Sequence, residues 1–281
     1  MNIAISGATG FIGSHLSDYF SAQGHVVKGI GREYFESGRE ERLVRLLSDA
    51  DVVVNLGGAP IDRRWTKAYK QTLYESRILS TRKLVEAINT VSRTGLLISA
   101  SAVGYYPSTG CYDEYTAKRG EGFLADLCGA WESEAGRVAA SVRLALTRFG
   151  VVLAPDGGAF PLLSRSVRLG MAAVVAPGDQ PFSWIALLDL IRGMEFIIRH
   201  PELKGAFNFV SPERMTNEAF AGAMAEYYRV GKVKVPEFVF RLLYGEGASF
   251  STQGQCVIPA KLMEAGFRFR CPSVGDFFKQ L

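Results

Sequence analysis

The residues of this chain best suited to hold a charged ligand stand near its beginning. Gly7, Gly10 and Gly13 are separated by two residues each in Gly7-Ala8-Thr9-Gly10-Phe11-Ile12-Gly13, after the apolar run Ile3-Ala4-Ile5 and before a helical pattern. Glycines so placed allow a tight strand-to-helix turn and a close approach of backbone to a pyrophosphate. The helix start adds free amides and a positive dipole end. The strand before, the helix after and a second strand from His25 favour this reading over a bare glycine turn. The end of that second strand then chooses the nucleotide. A carboxylate there accepts ribose hydroxyls and repels a 2′-phosphate, whereas this chain reads Ile30-Gly31-Arg32. Arg32 offers paired N–H donors and a fixed charge to a phosphate dianion, so NADP(H) is the expected cofactor. Glu33 and Glu36 pull the other way, and a merely solvated arginine is the alternative.

The elements that must position these residues follow from periodicity. Runs rich in β-branched residues predict strands over Asn2 to Ser6, His25 to Ile30, Asp51 to Leu56, Gly95 to Ser101 and Ser141 to Thr147. Helical spacing falls between them, over Phe11 to Ala22, around Leu43, Leu46 and Leu47, over Lys67 to Asn89 and over Phe123 to Ala139. Strands alternating with helical crossovers predict an α/β protein with a Rossmann-type, doubly wound parallel sheet. Turn clusters at Ala154 to Gly158 and Pro177 to Pro181 break the alternation. One more helix, Leu187 to His200, and one more strand, Gly205 to Val210, come later. The expected organisation is a nucleotide-binding domain over residues 1–153, rejoined by about 183–210, and a smaller, interleaved C-terminal lobe within 154–281.

Composition sets outer limits. The 281 residues are 48% apolar, enough for a sizeable core. The net charge of +4, from 32 basic and 28 acidic side chains without a like-charged block, points to a small-molecule substrate, with no nucleic acid or membrane as partner. Cys111, Cys128, Cys256 and Cys271 are scattered, so neither a disulfide framework nor a metal site is expected. The N-terminus lacks a signal-peptide pattern and no apolar run reaches membrane-spanning length, so a cytoplasmic, soluble protein, monomer or homodimer, is expected.

Further stretches carry a resemblance. They include Asn55-Leu56-Gly57-Gly58, Arg64-Trp65-Thr66, Ser76-Arg77, Ser99-Ala100-Ser101-Ala102-Val103-Gly104-Tyr105-Tyr106, Trp131-Glu132, Arg148-Phe149-Gly150, Ser183-Trp184-Ile185 and Ala265-Gly266-Phe267. Taken in order over nearly the whole chain, they resemble the epimerase-like, atypical short-chain dehydrogenases/reductases of the 39U kind. The resemblance implies that Leu56 and Gly57 line the adenine-ribose side and that Arg77 reaches the cofactor, a surface ion pair being the other reading of Arg77. Gly58 and Ser99 complete the expected cofactor-binding set, with Thr9, Phe11 and Ile12 of the loop. The chain departs from the family where it has Ala186-Leu187-Leu188 after Ser183-Trp184-Ile185, and Pro107 after Tyr106.

Catalysis is where the pattern thins. Short-chain dehydrogenases pair a Tyr with a Lys four residues later on one helix face, so that the ammonium lowers the phenol's pKa, and add a Ser that polarises the substrate oxygen. The corresponding helix starts Phe123-Leu124-Ala125-Asp126-Leu127-Cys128 and has neither. Tyr228 and Lys232 have the spacing but sit in the wrong half, with Gly231 between them. Tyr115, near Lys118 and Arg119, reads as a solvated loop. Ser101 matches the position of the polarising hydroxyl, and Tyr105 or Tyr106 on the following loop could supply a proton. The expected activity is therefore hydride transfer by an NADP-dependent oxidoreductase or epimerase-like enzyme with an atypical site, acting on a small carbonyl or hydroxyl compound that includes nucleotide-sugars. The alternative is an NADP(H)-binding redox sensor or interaction protein.

Overall fold

A computed structural model describes residues 1–248 and 252–281. Six strands form one parallel sheet: β1 (Asn2–Ser6), β2 (Val26–Ile30), β3 (Val52–Asn55), β4 (Leu96–Ala102), β6 (Arg143–Phe149) and β11 (Gly205–Phe209), in the order β11-β6-β4-β3-β1-β2. Chain order reverses between β1 and β3, which opens a crevice at their carboxyl ends, where parallel sheets hold ligands. The short strand β5 (Cys111–Tyr112) lies outside this sheet.

Alternate residues of the central strands feed two cores. Ile3 and Ile5 pack with Leu16 and Phe20 of α1 (Phe11–Ala22) and with Leu190, Met194 and Ile197 of α6 (Leu187–Arg199). Ala4, Val53 and Leu97 face the other way, onto Leu43 and Leu47 of α2 (Glu40–Leu47) and Leu84 and Ile88 of α3 (Lys67–Thr90). Burial on both faces explains why these strands read as continuous apolar runs. Thr66 caps α3 by accepting the Tyr69 amide. The helix α4 (Phe123–Ala135) ends four residues earlier than its pattern predicts, closing on Gly136.

The C-terminal part has its own core of Phe160, Trp184, Phe220, Phe277 and Phe278. Around it stand β7 (Val151–Ala154), β8 (Gly157–Gly158), α5 (Phe160–Leu163), β9 (Met171–Val175) and β10 (Trp184–Ala186). They are followed by α7 (Asn217–Tyr228), β12 (Gly231–Val235), α8 (Glu237–Tyr244) and β13 (Cys256–Val257). The helix α7 stops at Tyr228, Arg229 turns left-handed with φ of 55°, and Lys232 lies in β12, so the Tyr228–Lys232 spacing does not form a helical face.

One expectation is overturned. Cys111 and Cys256 form a disulfide, while Cys128 and Cys271 are free and buried. The partners are 145 residues apart and meet because β5 and β13 pair in parallel, Cys111 opposite Cys256. Such long-range pairing leaves no spacing signal in a sequence. Among the described residues no helix is long and apolar enough to cross a membrane, and no cluster of potential ligands could hold a metal ion.

Candidate functional site

The glycine loop closes on itself at the sheet's switch point. The amide of Gly10 donates to the Gly7 carbonyl at 2.9 Å, and the Ser14 amide donates to the Gly10 carbonyl at 2.8 Å. Gly10 caps α1 in an extended conformation without any side-chain acceptor, which leaves the first-turn amides of Phe11, Ile12 and Gly13 free for a ligand. Two glycines are required sterically. Gly7 has φ of +78°, and a Cβ on Gly13 would stand 2.1 Å from the Gly7 carbonyl oxygen. Thr9 lies exposed on the turn. The ring of Phe11 packs on the β7–β8 hairpin, where a Cβ on Gly157 would meet it at 2.1 Å. His15 ties the same hairpin down: its Nδ1 lies 2.9 Å from the Phe11 carbonyl and its Nε2 3.0 Å from Asp156 Oδ2. The Phe11 carbonyl and the Asp156 carboxylate raise the His15 pKa above its ordinary value.

The remaining cofactor-side residues line the same edge. Arg32 opens a short 3-10 turn after β2, exposed and without an ion pair among the described residues, while the Glu33 carboxylate folds back so that a Cβ on Gly31 would stand 2.2 Å from it. A guanidinium and a carboxylate thus share the end of β2. Leu56 continues from β3, and Gly57 sits so close to Ser6 that a Cβ there would be 2.7 Å from its Oγ. Beneath this floor Ser6 Oγ and Asn55 Oδ1 are buried with no hydrogen-bond partner. Asn55 Nδ2 donates to Thr81 Oγ1 at 2.7 Å and to Ser99 Oγ at 3.2 Å, so the fully buried Ser99 side chain is engaged inside the sheet rather than aimed at the crevice. Arg77 lies against Gly58, donates to the Ala59 and Leu73 carbonyls and stacks at 5.3 Å on Trp131. No carboxylate pairs with it among the described residues, and burial lowers its pKa from the ordinary arginine value.

At the end of β4 a buried polar chain runs across the sheet. Ser101 Oγ donates to Glu132 Oε1 at 2.7 Å, and Glu132 accepts twice from Arg148, at 2.8 and 2.7 Å. Arg148 Nη1 reaches Tyr106 Oη at 2.8 Å, and that hydroxyl donates to Asn208 Oδ1 at 2.8 Å. Such fork-to-fork pairing of guanidinium and carboxylate is the strong kind. Burial pushes the Tyr106 phenol up, and both its hydrogen-bonding roles are taken. The Arg148 guanidinium stands 3.7 Å from the Tyr105 ring centre, and the half-buried Tyr105 phenol makes no hydrogen bond among the described residues. Glu132 and Arg148 entered the sequence reading only as letters of a resemblance. The available signal was a charged residue amid the apolar patterns of α4 and β6.

The helix face that lacks Tyr and Lys is filled by Leu124 and Cys128, which pack against Gly104, and burial pushes the Cys128 thiol up to about 12, so it stays neutral. Tyr115 is exposed and donates to Glu264 at 2.5 Å. A cavity of about 560 Å³ opens beside Gly104 and Tyr106, walled by Trp65, Phe123, Leu124, Glu237 and Arg241 of α8, and Thr252, Gln253 and Gln255.

A parallel sheet with a glycine cradle at its first crossover and a cavity beyond its fourth strand defines a dinucleotide-binding short-chain dehydrogenase/reductase fold of the epimerase kind. The chain belongs to the NAD dependent epimerase/dehydratase family, whose profile matches residues 3–209; residues 235–281 match a Domain of unknown function (DUF1731). Over 305 residues it is 32% identical to the chloroplastic epimerase family protein SDR39U1 homolog of Arabidopsis thaliana, covering 100% of this chain and 86% of that one. It is 37% identical to the epimerase family protein Mb2239 of Mycobacterium bovis over 98% of this chain and 95% of the relative. The human epimerase family protein SDR39U1 (isoform2), solved with NADPH, superposes with a TM-score of 0.90 at 29% identity, covering 100% and 98% of the two chains.

Proposed function

We propose that this protein binds NADP(H) along the carboxyl edge of β1 to β4 and acts as an oxidoreductase or epimerase-like enzyme on a small carbonyl or hydroxyl compound. The observation that carries the reading is the uncapped start of α1, closed by the Gly7–Gly13 contact that only glycine allows. Arg32 and Arg77, both without carboxylate partners among the described residues, supply the cations that a phosphorylated dinucleotide requires. The solved relative with NADPH supports the same cofactor.

When bound, the cofactor supplies or accepts a hydride. The chain's own residues handle the proton. Tyr105, whose phenol has no hydrogen-bond partner among the described residues, donates a proton to the substrate oxygen, and Arg148 beneath its ring fixes the ring's position. Ser101 has its single proton committed to Glu132, so it anchors the Glu132–Arg148 pair rather than polarising the substrate. One observation favours a second reading, a nucleotide-binding sensor: the helix expected to carry the proton-shuttling pair packs Leu124 and Cys128 against Gly104, and neither can shuttle a proton at neutral pH. Calorimetry with NADPH and NADH, followed by NADPH oxidation against carbonyl panels, separates the two. Arg32→Asp is expected to weaken NADPH while sparing NADH; equal loss for both, or none, refutes the NADP assignment, and persistent silence with tight NADPH binding selects the sensor.

A further inference from the structure

The cavity beyond β4 carries its charges in a form that selects among substrates. Its wall holds two basic side chains, Lys70 and Arg241, against three acidic ones, Glu121, Glu237 and Glu246. Lys70 forms a short ion pair with Glu246 and stands 5.2 Å over the ring of Phe123. Arg241 donates to Glu237 at 2.9 Å, one helical turn away on α8. Both cations are therefore matched, and Glu121 adds an acidic surplus. Neighbouring Arg64, beside Gly245, is engaged by the Leu242 carbonyl and does not itself line the wall, Arg148 is paired with Glu132, and Arg77 lies on the Gly58 side, outside this wall.

The rest of the wall is aromatic and neutral. Trp65 and Phe123 meet edge to face at 5.3 Å, Gly247 lies flat on the Trp65 ring, and Gln253 and Gln255 offer uncharged hydrogen bonds. A nucleoside diphosphate would bring about two negative charges to a wall whose basic side chains, among the described residues, are already paired, and it would have to compete with Glu246 and Glu237 for them beside the surplus charge of Glu121. A volume of about 560 Å³ suits a compact organic molecule.

We infer that the cavity takes an uncharged carbonyl compound with an aromatic or alicyclic body and rejects nucleoside diphosphates, nucleotide-sugars included. This rests on the proposed cofactor reading for turnover, though the cavity can be probed alone. The test uses the whole protein, loaded with NADPH and unloaded, and follows acetophenone, UDP and UDP-glucose by saturation-transfer NMR. Acetophenone is expected to receive saturation in both states, and UDP and UDP-glucose none in the loaded one. Glu121→Lys combined with Glu246→Gln frees Lys70 and reverses the charge of the wall, and is expected to improve UDP binding by about tenfold or more. UDP or UDP-glucose binding the loaded wild type as well as acetophenone overturns the inference, as does acetophenone binding in neither state. Failure to load NADPH sinks the cofactor reading instead and leaves the acetophenone result on unloaded protein to decide the cavity.

Discussion

Adding one methyl group at Gly13 tests the cofactor site with a predictable displacement. The Cβ of Gly13→Ala would lie 2.1 Å from the Gly7 carbonyl oxygen and 2.8 Å from its carbon. An unstrained carbon-to-oxygen contact needs about 3.3 Å, so helix and loop must part by about 1 Å. The neighbours on both sides are backbone, which gives way only by shifting the turn itself. Overpacking of this kind costs about 1–3 kcal/mol of stability. The same shift withdraws first-turn amides from the phosphate, and each charge-assisted hydrogen bond contributes about 1.5–3 kcal/mol. Losing one such bond weakens NADPH by about 10- to 150-fold. Calorimetry on protein shown to be folded by circular dichroism reads the affinity. The matched control is Gly222→Ala in α7, where nothing lies within 4 Å of the added atom. That change is expected to stabilise by about 0.5–1 kcal/mol and leave affinity alone. A folded Gly13→Ala protein that binds NADPH like wild type refutes the reasoning.

Three further outcomes follow from the same structure. Glu132→Ala leaves the Arg148 guanidinium buried with no carboxylate and is expected to lower stability by about 3–5 kcal/mol in a denaturant titration; a loss under about 1 kcal/mol would show that the pair is not insulated from water. Arg77→Met removes a desolvated cation that has no carboxylate, so thermal unfolding of the cofactor-free protein should not fall while NADPH weakens about tenfold or more; unchanged affinity would mean that Arg77 serves packing alone. His15 has its pKa raised in the folded state, so its stabilising contribution is complete below the ordinary value of 6.5 and fades as pH rises through the higher folded value. Wild type is therefore expected to lose melting temperature over that rise relative to His15→Asn, and parallel curves would count against the contacts of His15 with the Phe11 carbonyl and Asp156.

The scaffold was legible because each central strand is buried on both faces and each crossover helix carries an apolar stripe, so local pattern and final place agree. The glycine loop was legible for a related reason: its spacing is itself the geometry of a tight turn. Side-chain commitments were not. Ser99 and Ser101 stand two apart on β4, yet one is held by Asn55 and the other donates to Glu132, partners 44 and 31 residues away. Their shared chemistry gave no way to tell them apart. Glu132 and Arg148 come from different elements and acquire meaning only when α4 lies across β4 and β6. The bond between Cys111 and Cys256 depends in the same way on two short strands finding each other late in the topology.

That bond turns most of the molecule into a covalent ring. A backbone cut at any one position between Cys111 and Cys256 would leave both fragments joined, so a nicked protein would keep its mass until a reductant is added. The ring contains β6, α6 and β11, whereas the glycine loop and Arg77 lie on the arm that precedes it. Limited proteolysis read on paired reducing and non-reducing gels would map that division directly.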